Sequence, residues 1–380
     1  MTLGPLMIIA GEASADAHGA GLVQALHRRQ PDLACFGVGG PALRDAGVEI
    51  LVDAAALAVV GITEVAVKFR ALSDALGRVR RALARRRPAL LVLIDLPDFN
   101  LMVAATARRL GIPVLYYISP QIWAWRPGRI RQIARRVDHM AVILPFEEAL
   151  YRRHGVPVTF VGHPLMDAAA PLGAEPPGPP RVGLLPGSRD REIERHLPPM
   201  LAAAKAVSRQ RPGVRWTVSV APGVAPAFVH RIIREADAGV SLETVAGGAR
   251  GILAQSTLVV AASGTVTLEA AVAGTPTIIV YRVSPLSYRL GRALIRVPFI
   301  GLANLIAGAP VMPELIQDQV TGDNIAGHML ALLDDPSRRR AMRDALARVR
   351  LRLGPPGAGE RVAAIAWRML TANRRPSEMM

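Results

Sequence analysis

The sequence predicts an α/β protein made of two doubly wound, Rossmann-like halves that face each other across a cleft. Three observations carry this reading. Apolar runs of strand length recur along the 380 residues, each followed by a small-residue turn and then a helical stretch. A Pro/Gly-rich segment, Ala170–Pro180, interrupts the rhythm, which then restarts. The clearest unit spans 256–282: strand Leu258–Ala262, turn Ser263-Gly264-Thr265, helix Val266–Ala273 stopped by Gly274 and Pro276, and strand Thr277–Tyr281. The boundaries that follow are 1–170 for an N-terminal half and 181–350 for a C-terminal half. Residues 351–380 form a terminal helix and tail able to pack back on the first half.

The turn of that unit suits a nucleotide. Small residues leave backbone N–H groups uncovered at a helix N-terminus, where partial positive charge and free donors favour a phosphate. Glu269 lies one helical turn after Thr265 and could accept hydrogen bonds from two sugar hydroxyls. The alternative is an ordinary helix cap with Glu269 on a solvated face.

Composition narrows the function classes. Half of the chain is apolar, so it is globular. The net charge is +16, almost all of it arginine, since Lys68 and Lys205 are the only lysines. A basic surface favours phosphorylated substrates, an anionic membrane face or nucleic acid. Against nucleic acid, aromatic residues make up only 4% and no recognition motif occurs. The single cysteine, Cys35, allows neither an internal disulfide nor a thiolate cluster. No apolar stretch reaches membrane-spanning length, because Gln255, Gly264, Glu269, Gly274 and Pro276 break the most apolar region; a soluble or peripheral protein is expected.

In chain order, Leu6–Ala10 reads as a strand, Gly11-Glu12-Ala13-Ser14 as a loop and Ala15–Arg29 as a helix. This opening lacks the G-x-G-x-x-G pattern of a dinucleotide site. His18 falls in the first helical turn, where a structural role outweighs that of a base. Ile62, Val65, Phe69, Leu72, Leu76, Val79 and Leu83 line one helix face, with Lys68, Arg70, Arg78, Arg80, Arg81 and Arg85–Arg87 on the remainder. The stripe suits packing on a sheet; the arginines suit an anionic bilayer surface, and both can hold at once.

Ala89–Ile94 is a buried strand ending in Asp95-Leu96-Pro97-Asp98-Phe99-Asn100. Pro97 ends the pairing and leaves Asp95 and Asp98 at the strand's C-terminal edge, where open α/β sheets bind ligands. Asp98 is the candidate general base, with Asp95 second; alternatively Asp98 or Asn100 caps a helix Leu101–Leu110. Pro113–Ile118 is a strand followed by Ser119-Pro120-Gln121-Ile122-Trp123-Ala124-Trp125-Arg126, whose aromatic rings and arginines suit a sugar, a phosphate or domain packing. Met140–Leu144 and Val158–Val161 complete the first sheet.

After the linker, strand Arg181–Leu185, turn Pro186-Gly187-Ser188-Arg189 and helix Glu192–Arg209 follow. Ser188 and Arg189 could hold a diphosphate. Trp216–Ala221 is another strand. Pro313 suits the first turn of a helix carrying Glu314 and Gln317 on one face, and Asn304, Glu314 and Gln317 are polar positions in an apolar setting that call for partners. Helices are expected at Pro336–Leu353 and Glu360–Ala372.

Taken together, Gly11-Glu12-Ala13-Ser14, Asp95-x-Pro97-Asp98-Phe99-Asn100, Ser119-Pro120-Gln121-x-Trp123-Ala124-Trp125-Arg126, Leu185-Pro186-Gly187-Ser188-Arg189, Ala262-Ser263-Gly264-Thr265, Leu268-Glu269 and Pro313-Glu314-Leu315 resemble the lipid-A-disaccharide synthases. The resemblance covers nearly the whole chain in order. That family, glycosyltransferase family 19, is similar to other two-domain inverting glycosyltransferases of the GT-B fold. The resemblance implies transfer of 2,3-diacylglucosamine from UDP to 2,3-diacylglucosamine 1-phosphate, giving a β-1,6 disaccharide and UDP. It implies no cofactor, a cytoplasmic protein peripheral on an anionic inner-membrane surface, and room for a homodimer. Gly11, Glu12 and Ser14 would meet substrate in the first half. UDP would be bound by Ser188, Arg189, Ser263, Gly264, Thr265 and Glu269, with Asn304, Glu314 and Gln317 as further candidates. Without a DxD-like metal motif, the helix N-terminus, Ser188 and Arg189 would neutralise the leaving diphosphate.

Three departures stand out: Ala15 where the family has glycine, which would loosen the first loop; Leu96 for the commoner alanine, expected to matter little; and a histidine at 18. The nearest enzyme alternative is an enzyme like UDP-N-acetylglucosamine 2-epimerase, similar in fold. A nucleotide-binding module without chemistry is a third reading.

Overall fold

The computed structural model describes residues 3–56, 65–125, 127–173, 175–294 and 297–372, and divides into two compact units. The first comprises 1–167 and 353–380, the second 168–352. Unit 1 runs β1 (Leu6–Ala10), α1 (Ala13–His27), β2 (Cys35–Gly39), α2 (Pro41–Asp45), β3 (Glu49–Asp53), α3 (Val65–Arg86), β4 (Leu90–Ile94), α4 (Pro97–Arg109), β5 (Val114–Tyr117), α5 (Ile122–Trp125), α6 (Ile130–Arg136), β6 (His139–Val142), α7 (Pro145–Arg153) and β7 (Val158–Phe160). Unit 2 runs β8 (Arg181–Leu185), α8 (Asp190–Gln210), β9 (Arg215–Val220), α9 (Pro226–Ala236), β10 (Leu242–Ala246), α10 (Ala249–Gln255), β11 (Leu258–Ala262), α11 (Val266–Ala273), β12 (Thr277–Tyr281), α12 (Pro285–Leu294), α13 (Leu302–Ala307), β13 (Glu314–Ile316), α14 (Gly322–Leu333) and α15 (Pro336–Arg352). Helix α16 (Ala358–Ala372) then returns the chain to unit 1.

Both sheets are parallel throughout, in the orders β3-β2-β1-β4-β5-β6-β7 and β10-β9-β8-β11-β12-β13. Strands buried on both faces need continuous apolar sequence, and the central ones supply it: LMIIA, LLVLI and LVVAA are buried at every position. In unit 1, Met7, Ile9, Leu91 and Leu93 pack with Val79, Leu83, Phe99 and Ile133 of α3, α4 and α6. Leu6, Ile8, Val92 and Ile94 face the other way, onto Leu22 and Val23 of α1 and Val362 and Ala366 of α16. The Asp167 carboxylate receives the amides of Gly357 (2.6 Å) and Ala358 (3.3 Å), fixing the start of α16. Leu72, Leu76, Val79 and Leu83 of α3 pack on the core, so that part of the stripe is a sheet-facing stripe. Ile62, Arg126 and the side chains of Val65, Lys68, Phe69 and Trp125 lie outside the described residues.

Several sequence expectations are corrected. Helix α4 begins at Pro97 rather than Leu101, so neither Asp98 nor Asn100 is its cap; Leu96 takes that position in the left-handed region (φ 43°). Ala15 does not loosen a loop: α1 begins at Ala13 and Ala15 is buried within it. Leu96 is not neutral either, since its side chain presses so closely on Gly11 that a β-carbon there would come within 2.5 Å of it. Pro313 precedes strand β13, not a helix. The open edge of β12 offers ladder bonds, Ile279 N reaches Pro313 O (2.8 Å), and Gln317 turns left-handed (φ 52°) immediately after.

Candidate functional site

In each sheet the strand order reverses between two central strands, β1/β4 in unit 1 and β8/β11 in unit 2. Ligands of open parallel sheets bind at the carboxyl ends of strands beside such a reversal. The loops there are Gly11–Ser14 and Asp95–Asp98 in unit 1, and Pro186–Arg189 and Ser263–Thr265 in unit 2. Gly11, Glu12, Ser14, Asp95, Asp98, Ser188, Arg189, Ser263, Gly264 and Thr265 therefore fall at two topological switch points, whereas Asn304, Glu314 and Gln317 do not.

At the unit 1 switch point, Asp95 and Leu96 are both left-handed (φ 49° and 43°), a costly state for residues other than glycine. Buried groups hold them there. The reversed Asp95 carbonyl accepts from the Tyr116 hydroxyl (2.5 Å) and from Asn100 Nδ2 (2.7 Å), which also reaches Ile94 O (3.1 Å). The turn leaves Asp95 half-buried, and burial, with Glu12 nearby, raises its pKa. Asp98 sits in the first turn of α4 with its side chain 71% exposed, paired with the nearly buried Arg129. Exposure makes Asp98 the carboxylate a solvent-side hydroxyl can reach. Next to this turn, the amides of Ala13, Ser14 and Ala15 open α1 with no acceptor among the described residues. Asp16, one residue further, is buried: its carboxylate takes the amides of Gly40 (2.6 Å), Ala42 (2.9 Å) and Leu43 (3.3 Å), tying α2 to α1.

The Trp-containing segment is built on a buried acid. Glu147 accepts from Trp123 Nε1 (3.0 Å) and from the Leu144 amide (3.2 Å), and the Trp123 ring meets Phe146 edge-on at 5.0 Å. Ser119 Oγ lies 2.6 Å from the Tyr151 hydroxyl. These contacts hold α5 just before the turn that carries Arg129 to Asp98. Burial pushes the Glu147 pKa up to about 8, against the pull of its N–H donors. A group whose pKa rises on folding stabilises fully below its unfolded value, here 4.5, and loses that contribution as pH climbs through about 8. The unfolding free energy from urea melts should thus fall between pH 5 and 8.5, by about 1.4 kcal/mol per pH unit at most, and Glu147→Gln should flatten that part of the slope. Equal slopes for the two proteins would show that Glu147 stays ionised.

At the unit 2 switch point, the amides of Gly264, Thr265 and Val266 open α11 with no acceptor among the described residues. Ser263 Oγ donates to Ile300 O (3.3 Å), tying this turn to the loop before α13. Glu269 is half-buried, and burial raises its pKa against the pull of Arg250. The other turn is already answered from within: Glu192 takes the Ser188 amide (3.1 Å) and pairs with Arg189 (2.8 Å), whose side chain remains 80% exposed. Arg189 can reach a diphosphate by leaving Glu192.

Asn304, Glu314 and Gln317 are structural brackets. Asn304, fully buried, donates to Met312 O and Glu314 Oε1 and accepts the Met312 amide, all at 2.8 Å. Glu314 also takes the amides of Ile300 and Gly301, each at 2.9 Å. Gln317 closes a two-way bond with Val283, receiving its amide (2.7 Å) and donating to its carbonyl (3.2 Å). The three shape the loops around the Ser263 turn.

With this geometry in place, comparison with known proteins settles the family. The family described as lipid-A-disaccharide synthetase matches residues 6–358. The lipid-A-disaccharide synthase of Geobacter metallireducens is 45% identical over 378 residues, covering 97% of this chain and 98% of its own length. That of Syntrophus aciditrophicus is 46% identical over 371 residues, covering 95% and 96%. The chain belongs to the lipid-A-disaccharide synthase family. It is accordingly a glycosyltransferase of lipid A biosynthesis. Among solved structures, a putative UDP-N-acetylglucosamine 2-epimerase from Listeria monocytogenes has a TM-score of 0.66 at 15% identity, covering all of both chains. The glycosyltransferase of kitacinnamycin has 0.63 at 15%, covering 97% of this chain and all of its own. At such identities the likeness shows the GT-B fold alone.

Sequence reasoning about this lipid-A-disaccharide synthase family member missed several supports. His196 is buried, donates from Nδ1 to Pro186 O (2.9 Å) and accepts the Arg282 amide at Nε2 (2.9 Å), so it ties the loop after β8 to the loop after β12. Burial lowers its pKa, and those two bonds fix it as the neutral Nδ1–H tautomer. The roles of Asp16 and Glu147 were missed because Gly40, Ala42 and Trp123, which they bind, are remote in sequence, and so was the pairing of Arg129 with Asp98.

Proposed function

We propose that the chain joins UDP-2,3-diacylglucosamine to 2,3-diacylglucosamine 1-phosphate, forming the β-1,6 lipid A disaccharide 1-phosphate and releasing UDP. The observation that supports this is that four of the family's motifs, Gly11–Ser14, Asp95–Asn100, Leu185–Arg189 and Ala262–Thr265, lie at the two switch points. Unit 2 takes the donor: the amides of 264–266 and Arg189 receive the diphosphate, and Glu269 the ribose hydroxyls. A fold neighbour, the Neisseria meningitidis epimerase, was solved bound to UDP-GlcNAc, which suits a donor of this class. Unit 1 takes the acceptor at Gly11, Glu12 and Ser14. Its 6-hydroxyl attacks the donor's anomeric carbon as the bond from that carbon to the diphosphate oxygen breaks, inverting the centre. Asp98 takes the hydroxyl proton, and Asp95 is its half-buried neighbour on the same turn.

Purified protein mixed with both sugars, without added metal, should yield UDP and a disaccharide monophosphate by mass spectrometry. A monosaccharide product would support the epimerase reading instead.

The substrates bear acyl chains, so the chain must meet lipid. No described helix is long and apolar enough to cross a membrane. On α3, Arg78, Arg81, Arg85 and Arg86 line a pocket of about 280 Å³ with Leu51 and Ala82. We read this cationic face, with the N-terminal part of α3, as a peripheral contact to the anionic inner-membrane surface. Flotation with anionic vesicles should weaken at high salt; salt-independent flotation would remove the arginines from the contact.

A further inference from the structure

The carboxyl end of β5 gathers hydrogen-bond donors that no protein group answers. Tyr117 closes that strand on the face of the sheet covered by α1 and α16. It is 1% exposed, yet its hydroxyl has no hydrogen-bond partner among the described residues. His163, in the loop after β7, is 7% exposed. Its Nδ1 accepts the Leu165 amide (3.1 Å), and burial, which pushes its pKa down to about 4, keeps the ring neutral. The proton must then sit on Nε2, which has no acceptor among the described residues. His18 meets the Tyr117 ring edge-on at 6.3 Å and lies near enough to His163 for its charge to oppose protonation there. Neither ring nitrogen of His18 has a hydrogen-bond partner among the described residues. Asn100 Oδ1 is the one side-chain polar atom among the described residues that is both fully enclosed and unpartnered, so the free tips of Tyr117 and His163 open onto accessible space.

Helix α1 adds further donors. Ser14 and His18 are four residues apart and share one of its faces, with the His18 side chain leaning toward the helix start. There the amides of Ala13, Ser14 and Ala15 stand open, at the positive end of a 15-residue helix. The fixed charges beside the cluster are already engaged. Asp167 takes the amides of Gly357 and Ala358, and Arg361 donates to the carbonyls of Val161 (2.7 Å), Pro355 (2.6 Å) and Pro356 (2.8 Å). Among the described residues, no three His, Cys, Asp or Glu side chains gather as a metal would require. Imidazoles, a phenol and a row of amides, all with protons to give, fit a ligand that brings acceptor oxygens and negative charge.

We propose that His18, His163 and Tyr117, with the open amides of α1, form a subsite for a phosphate monoester, and that in the transfer reaction it takes the 1-phosphate of the acceptor sugar. The inference rests on the reading of unit 1 as the acceptor unit. Helices α1 and α4 cover opposite faces of the sheet, so the acceptor bridges its carboxyl edge, with phosphate at His18 and the 6-hydroxyl at Asp98. The phosphate oxygens accept from the Tyr117 hydroxyl and from His163 Nε2, and His18 supplies a third side-chain donor.

The test uses the full chain. It carries eight histidines, so labelling at Cε1 gives a countable NMR spectrum in which His18→Gln and His163→Gln identify the two signals. Glucosamine 1-phosphate should move both signals saturably, at lower concentrations than inorganic phosphate does, while sodium chloride at the same ionic strength leaves them in place. No movement, or equal movement in chloride, would overturn the subsite. Equal affinity for the two phosphates would leave a site for free phosphate and overturn its assignment to the acceptor. The kinetic arm uses Tyr117→Phe, which keeps the ring and removes only the hydroxyl. With acceptors bearing and lacking the 1-phosphate, the preference in kcat/KM for the phosphorylated one should shrink about tenfold or more, mostly through KM. Equal losses on both acceptors would show Tyr117 to be structural and overturn its place in the subsite. Should the protein release no UDP with either acceptor, the transfer reading fails, and the titration alone still decides the subsite.

Discussion

Asp98→Asn is expected to lower turnover about a hundredfold to ten-thousandfold while leaving the protein folded. A sugar hydroxyl is a weak nucleophile at neutral pH, and a positioned base supplies an acceleration of that order. The fold has little at stake at this side chain, which is largely exposed and in the first turn of α4, where asparagine is tolerated. Arg129 keeps a hydrogen-bond acceptor in the substituted side chain. The expected signature is therefore a large fall in kcat with only a small drop in thermal midpoint, from the lost counter-charge to Arg129. Asp95→Asn should behave differently: it removes a half-buried carboxylate whose charged form is disfavoured by burial and by Glu12, so stability should hold or rise. Measured side by side, the two variants separate the roles. An Asp98→Asn protein at the parental rate, with Asp95→Asn inactive, would move the base to Asp95.

Why the strand ends that carry Asp95 and Asp98 could be read from the sequence, and the scaffolding around them could not, has a physical reason. Strands β1, β4 and β11 are continuous apolar runs ended by Gly11, Asp95 and Ser263, so their carboxyl ends can be read directly. Strand β2, CFGVG, holds two glycines, and β10, LETVA, is an edge strand with exposed positions, so neither has a periodic signal. The left-handed pair Asp95–Leu96 contains neither glycine nor asparagine; its conformation comes from Tyr116 and Asn100, which no local pattern connects to it. The segment Pro313–Gln317 carries a fair helix-start pattern, and tertiary context overrides it through the free edge of β12. Polar residues in apolar surroundings did announce that Asn304, Glu314 and Gln317 have partners. The fold supplies protein partners for all three, which no local pattern could name.

Glu314→Ala bears on those partners and should carry the largest stability cost proposed for unit 2, about 3 kcal/mol. One carboxylate receives the Ile300 and Gly301 amides and Asn304 Nδ2, and truncation strands all three donors at once. Hydrogen bonds to a charged acceptor contribute about 1.5–3 kcal/mol each, but Ile300 and Glu314 are only half-buried, so water would replace part of the loss. Glu314→Gln keeps one acceptor oxygen and should cost about half as much. The kinetic consequence follows from the Ser263 Oγ bond to Ile300 O: a loosened 300–301 loop frees the turn that is read as receiving the diphosphate, and KM for the donor should rise more than kcat falls. Asn304→Ala tests the bracket from the other side. Because Asn304 and Glu314 touch, their double-mutant cycle in chemical unfolding should show a coupling of about 1 kcal/mol or more. If Asn304→Ala raised the donor KM with no loss of stability and no coupling to Glu314, Asn304 would be a ligand group, and the bracket around this loop would have to be assigned to Glu314 and Ser263 alone.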